Sequence, residues 1–473
     1  MRDNTLSAKN GDQLTRRLRG LLPPRGRMSH TSRAWMVWIV SLVFVLFQFF
    51  LQLSFGEMVA AVMSSYQLTA AESGILASSY YFVYVLLQMP AGMLIDRFGP
   101  RRILTLGALV VVVGCALFAE APTFLTAMLG RLLVGTGAAF AFVGSLNLVS
   151  IWFPANRFGV MTALAETTGL FGSIIGTVLL AMFVHLVGWR DCMLFCAGFS
   201  LVLAAMLWLV VRDTPDNVTM ITQRSLSHWW SDVTGLFKSG VAWLNGIYTG
   251  LLFLMITVFV ALWSVPFLQK SYGMSLLHAT LVSDVVFIGA AIGNPAIGWL
   301  DSRITQRRAI LVSFPIMASL ILAVLMFVPN LPVFELVALM FLFGLMVTSY
   351  IIPYIIGNEI APHGARTTSI GFVNTLSVGS APILGPMIGW VLDNPFSVQA
   401  QHKVVAGSIV AYQQSFSLFL VCLLAASVIG CYLPKRPVIT APEQEVQADQ
   451  DDRIDVVTEE DLIAKNDPIY PEV

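Results

Sequence analysis

Twelve long apolar runs leave this chain few folds to choose from. They lie at 34–63, 74–95, 103–119, 124–153, 158–187, 192–211, 241–267, 276–300, 309–328, 334–361, 367–392 and 416–433. About 20 apolar residues, at a rise of about 1.5 Å each, cross a bilayer core. With 57% hydrophobic and 11% charged residues over 473 positions, the chain has too little polar surface to cover a soluble globule. A membrane barrel would show alternating segments of about ten residues instead. The reading is an all-α polytopic membrane protein with twelve transmembrane helices.

Charge then orients the spans. Between the second and third runs stands Gly92-Met93-Leu94-Ile95-Asp96-Arg97-Phe98-Gly99-Pro100-Arg101-Arg102, a tight water-facing turn. Its arginines mark the cytoplasmic side by the positive-inside rule. The tally agrees: eight Lys and Arg lie in the first 33 residues and eleven in the expected inner loops, whereas the outer loops hold Arg190, Lys270 and Lys403. Both termini are therefore expected in the cytoplasm. The polar, arginine-rich start is no signal peptide, so the first span should remain as an anchor.

The organisation expected is a basic cytoplasmic tail (1–33), a six-helix half (34–211), a cytoplasmic linker (212–240), a second six-helix half (241–433) and an acidic tail (434–473). In the linker, Trp229-Trp230 with Leu236 and Phe237 could form a short amphipathic helix in the interface or an ordinary connection. From Thr440 onward eleven acidic residues face only Arg453 and Lys465, which predicts disordered chain. The five cysteines all fall in apolar runs and read as packing residues, and the six histidines form no metal or catalytic cluster. No cofactor is expected, and a formal net charge of zero gives no reason to expect nucleic acid. A monomer in the lipid bilayer is expected.

The halves echo each other. After the eighth run, Gly298-Trp299-Leu300-Asp301-Ser302-Arg303 with Arg307-Arg308 repeats the first turn, one residue short before the aspartate. Trp152-Phe153-Pro154 with Arg157 is matched by Ile360-Ala361-Pro362 with Arg366. Parallel six-helix repeats place a binding site at their interface near mid-bilayer.

These residues resemble a known family. Gly92-x-Leu94-x-Asp96-Arg97-x-Gly99-x-Arg101-Arg102 resembles the signature between helices two and three of the major facilitator superfamily, with Pro100 where a basic residue is usual. Gly130-Arg131-Leu132-Leu133-Val134-Gly135-Thr136-Gly137 resembles its fourth-helix motif. The run Gly130–Phe153 with Arg157-Phe158 looks like the bacterial branch related to the lysosomal dipeptide transporter and to amino-acid transporters of intracellular bacteria. The resemblance implies a major facilitator fold and alternating access. It also implies that Asp96 and the arginines Arg97, Arg101 and Arg102, with Gly92 and Gly99, latch the halves on the cytoplasmic side. The degraded copy at Asp301 and Arg303 would make the second gate unequal. Asp96 can accept from free amides at the start of span eleven, near Thr367.

An ionisable side chain at membrane depth costs at least ~2.5 kcal/mol, so each needs a partner or a wet cavity. The candidates are Arg131, Glu166, Asp284 and, nearer the outside, Glu57. Glu166 lies about 12 Å from the cytoplasmic end of its span, and Asp284 about 21 Å from the same face. Counted from the loop prolines, Asn374 is the counterpart of Glu166. The expectation is that Glu166 and Asn374 face each other across a cavity, with Arg131 taking a substrate carboxylate and Glu166 or Asp284 an ammonium. A structural ion pair of Arg131 with a carboxylate is the alternative. Burial penalises an ionised carboxyl, which makes Glu166 and Asp284 the candidates for proton coupling.

Tyr350, Tyr354 and Asn358 recur every four residues and share a face, as do Tyr80 and Tyr84. They line a pocket or bond between helices. Asn147, Trp263 and Asn294 are further candidates. Span five has glycines but no Gly-Pro pair, unlike drug/proton antiporters of the superfamily, which argues against multidrug export. The favoured function is a secondary transporter, proton-coupled or not, of a small zwitterionic or carboxylated solute such as an amino acid or short peptide in a bacterial inner membrane. The alternatives are a siderophore or other organic acid, with Arg131 as main anchor, and a non-transporting receptor or scaffold. Nothing resembles an enzyme's nucleophile and base.

Overall fold

A computed structural model describes residues 30–68, 70–214, 233–304, 306–361, 365–393 and 409–435. The twelve apolar runs form twelve membrane-spanning helices. The first six are α1 (His30–Tyr66), α2 (Ala70–Phe98), α3 (Pro100–Ala119), α4 (Phe124–Trp152), α5 (Phe158–Val187) and α6 (Trp189–Val210). α7 runs in three parts, Gly240–Leu254, a π-helical Met255–Trp263 and Ser264–Tyr272. Then come α8 (Leu276–Asp301), α9 (Arg307–Phe327), α10 in three parts (Val333–Val347, a 3-10 turn at Thr348–Ile351, Ile352–Ile360), α11 (Arg366–Asp393) and α12 (Ile409–Gly430). Ten of the twelve are long and apolar enough, on their described residues, to cross a membrane by length and composition alone. The two tails and residues 215–232, with Trp229 and Trp230, lie outside the described residues. Beyond them, residues 233–238 are helical, with Leu236 buried beside Ala242 and Phe372 and Phe237 exposed.

Local chemistry sets the helix ends. Thr123 caps α4 through a reciprocal pair with Thr126, and Ser275 caps α8 by accepting from the amide of His278. Gly99 opens α3 with φ of 84°, a left-handed value that a side chain resists, and Pro100 follows at the first helical position. The Asp213 carboxylate, arriving after α6, accepts from the Arg101 amide at 2.8 Å and stands where a Cβ on Gly99 would lie.

Two helices are broken where it matters. In α10, Pro353 lacks the amide a continuing helix needs, and the turn before it tightens to 3-10. α7 meets the loosened carbonyls: Thr249 donates to Tyr350 at 2.7 Å and Asn245 to Pro353 at 2.8 Å. Tyr350 and Tyr354 are thereby held rigidly on either side of the break.

The first and last six helices meet along α2 with α11 and α5 with α8. On the face carrying the α2–α3 and α8–α9 turns, here the turn face, the meeting is tight. Gly92 lies against the carbonyl of Thr367, and Gly298 against that of Gly159, with no room for a Cβ at either.

Candidate functional site

Polar side chains between the halves gather at two depths. Nearer the turn face, about 12–15 Å in by helical rise, Tyr350 donates to Glu166 Oε1 at 3.4 Å, and Asn294 Nδ2 donates to the Tyr350 hydroxyl at 3.2 Å. One turn along α10, Tyr354 donates to Asn374 Oδ1 at 2.7 Å, and Asn374 Nδ2 donates to Gln88 Oε1 at 2.7 Å. Glu166, Asn374 and both tyrosines are buried, and Gln88 fully so. Glu166 and Asn374 thus bond to successive tyrosines of α10 rather than to each other, and the bonds that cross between the halves are Tyr350 to Glu166 and Asn374 to Gln88.

The other level lies about 15 Å further from the turn face. Arg131 is 1% exposed, yet its one hydrogen bond among the described residues runs from Nη1 to the Leu51 carbonyl at 3.4 Å. Its Nε and Nη2 have no hydrogen-bond partner among the described residues. Phe55 and Tyr80 hold the guanidinium between their ring faces, each centroid 5.2 Å away, an arrangement worth up to about 2 kcal/mol when desolvated. No carboxylate among the described residues bonds Arg131. Tyr80 stacks on Tyr84 at 5.8 Å and takes a 3.3 Å hydrogen bond from Gln48 Nε2, which also donates to Gln52 Oε1 at 3.1 Å. The side of α2 bearing Tyr80, Tyr84 and Gln88 therefore joins the two levels.

Other expected residues fall elsewhere. Asp284 is exposed, beside Leu281 and Ile288 on the outer edge of α8, and does not join Arg131 or Glu166. Depth along a helix gave no measure of which face it occupies. Glu57 lies on α1, but its side chain is outside the described residues. Asn358 is half-buried with Oδ1 unpartnered, toward the turn-face end of α10. Trp263, at the end of the π-helical stretch, has an unpartnered Nε1.

At the turn face, Asp96 accepts from the amides of Thr367 (3.2 Å) and Thr368 (2.8 Å) and from the Thr368 hydroxyl (2.8 Å), capping α11 across the seam. The arginines behave differently from the latch implied by resemblance. Arg101 stays on its own half, donating to the Trp208 carbonyl at 2.9 Å and lying 4.2 Å over that ring. Arg97 covers Phe98, Arg303 covers Trp299, and Arg102 is exposed. Asp301 is buried in a bidentate pair with Arg307, which also grips Glu359 at 2.7 and 2.8 Å.

Gln48, Gln52, Gln88 and Glu359 escaped the reading of the sequence. For the three glutamines, uncharged amides inside apolar runs were the available signal, since they too need partners at membrane depth; Glu359 was a charge near the end of the tenth run.

The Major Facilitator Superfamily profile matches residues 34–386 and, in an overlapping second match, 264–448. The chain belongs to the Major Facilitator Superfamily. It is 26% identical over 291 residues to an uncharacterized transporter, YybO, of Bacillus subtilis, across 58% of this chain and 66% of that protein. It is 24% identical to a probable galactarate/D-glucarate transporter of Escherichia coli (61% and 71% covered). It is 22% identical to a probable sulfoacetate transporter of Cupriavidus necator (51% and 58% covered). The aligned part thus spans roughly three fifths to seven tenths of these curated relatives. Among solved structures, the Escherichia coli fucose:proton symporter aligns over 84% of this chain and 98% of its own, with a TM-score of 0.58 at 18% identity, a likeness of fold. Two of these relatives are named for organic acids rather than for the dipeptides or amino acids expected from Gly130–Phe153.

Proposed function

We propose that this protein is a secondary transporter of organic acids, with sugar acids the favoured class. It works by alternating access in a bacterial inner membrane, its turn face toward the cytoplasm. One observation carries the reading: a fully buried guanidinium with two open donors and, among the described residues, no carboxylate partner. Such a group is expensive at membrane depth unless an anion completes it. Planar donors at Nε and Nη2 match the two oxygens of a carboxylate.

The amino-acid reading needs Arg131 and Glu166 to hold opposite ends of one small zwitterion. Their levels differ by about 15 Å along the helix axes, several times the carboxylate-to-ammonium distance of an α-amino acid. The names of the relatives support acids over amino acids. Glu166 is then left for the proton, hydrogen-bonded across the interface by Tyr350, where gain or loss of charge changes a contact between the halves. The fold likeness to a proton symporter is compatible with that role. A scaffold has no need of an open guanidinium in the bilayer.

The test is uptake by the full chain in proteoliposomes, using galactarate, D-glucarate, D-gluconate, amino acids and dipeptides, each with and without an inward proton gradient. Acids should enter, faster with the gradient. Arg131→Gln should weaken acid binding about 100-fold, the scale for stripping one partner from a buried charge pair. Glu166→Gln should abolish the response to the gradient while leaving exchange of acid for acid. Uptake confined to amino acids or peptides, or acid uptake indifferent to Arg131→Gln, would sink the proposal.

A further inference from the structure

Around Arg131 the open donors have an open acceptor for company. Gln48 is fully buried in α1, and both its hydrogen bonds leave through Nε2, to Gln52 and Tyr80, so that Oε1 has no partner. Gln48 stands one helical turn before Leu51, whose carbonyl holds Arg131. Tyr80 touches both, with Gln48 at its hydroxyl and Arg131 over its ring. A buried acceptor left unmade is as unfavourable as a buried donor. An occupant that satisfies both offers a carboxylate and, on the neighbouring carbon, an O–H or N–H.

Charge decides between these two donors. Arg131 is a lone cation whose described partners are a carbonyl and two aromatic rings. A hydroxy acid brings one negative charge and leaves the subsite neutral. An α-amino acid brings a second cation beside the first, with no carboxylate among the described residues there to meet it, and leaves a net positive charge in a low dielectric.

We infer that Arg131 and Gln48 together form a subsite for 2-hydroxy carboxylates, in which the guanidinium takes the carboxylate and the 2-hydroxyl donates to Gln48 Oε1. This subsite rests on the anion-binding reading above and adds to it the residue that reads the next carbon. Arg131 supplies affinity for acids as a class; Gln48 selects among them.

Three probes differing only at that carbon separate the roles: D-gluconate (hydroxyl), 2-deoxy-D-gluconate (hydrogen) and D-glucosaminate (ammonium). Their affinities for the purified full chain are read by titration calorimetry in detergent. The wild-type protein should bind D-gluconate at least tenfold more tightly than the 2-deoxy acid, because a site built to pair a hydroxyl rejects the analogue lacking it. D-glucosaminate should bind weakest. Gln48→Leu should bring the first ratio to about one through loss of D-gluconate affinity, with the 2-deoxy acid changed less than threefold. Gln48→Glu should reverse the order of D-gluconate and D-glucosaminate, a reversal that damage to packing does not produce. If acids bind through Arg131 but Gln48→Leu keeps the wild-type ratio, or Gln48→Glu keeps the order, the hydroxyl subsite is wrong and the anion reading stands. If none of the three binds, or binding ignores Arg131→Gln, both fall together.

Discussion

At the end of α2, Gly92 packs against the Thr367 carbonyl of α11, and four residues on Asp96 reaches across the same seam to cap that helix. At the end of α8, Gly298 packs against the Gly159 carbonyl of α5, but three residues on Asp301 turns back into its own half to grip Arg307. Each helical residue turns the side chain by about 100°. A spacing of four sets the aspartate about 40° from the glycine's direction, and a spacing of three sets it about 60° away on the other side. One missing residue converts a bond between the halves into a bond within one. The two seams share their steric contact and differ in their electrostatic one, so one side latches and the other is merely close-packed.

The sharpest break of this comparison is Arg307→Leu. It leaves Asp301 buried, and Glu359 half-buried, without their shared cation and should cost about 3–5 kcal/mol of stability, read as a lower melting temperature in detergent. Asp96→Asn should leave that temperature nearly unchanged. Next come Gly92→Ala and Gly298→Ala, whose methyl groups have nowhere to go. Overpacking of about 1–3 kcal/mol in the turn-face-closed state should slow uptake tenfold or more in both; a fall in only one would show that the seams are mechanically unequal as well. Asp96→Asn should slow uptake about tenfold with substrate affinity within twofold, through loss of charge-assisted hydrogen bonds. A large affinity change there would contradict a gating role. The smallest effect is expected from Thr368→Val, which removes one of the three donors to Asp96 and should slow uptake about threefold.

The twelve spans were legible because hydropathy at this length has one physical meaning in a bilayer. Their ends agree with the helices to within a few residues, except α12, which starts at Ile409 rather than 416. The breaks in α7 and α10 were not legible. A π-helical stretch and a 3-10 turn change hydrogen-bond partners without changing composition, although Pro353 was a visible cause of the second. At the site, Arg131 and Glu166 announced themselves as rare charges. Gln48, Gln52 and Gln88 did not, since an amide among leucines and phenylalanines carries no charge to notice. Asp284 misled for the opposite reason: it is a rare charge whose helix turns it outward, a matter of angle that spacing from one end does not fix.

If Arg131 binds the proposed acid, its open guanidinium also sets the pace of the working cycle. On the proposed reading, the loaded protein is locally neutral, whereas the empty one must carry an uncompensated cation through every intermediate between its two faces. The empty return is then the slow step, and a second anion boarding from the far side removes it. Trading one acid for another runs faster than one-way delivery, so a cell holding a single internal acid at high concentration would use this protein as an exchanger.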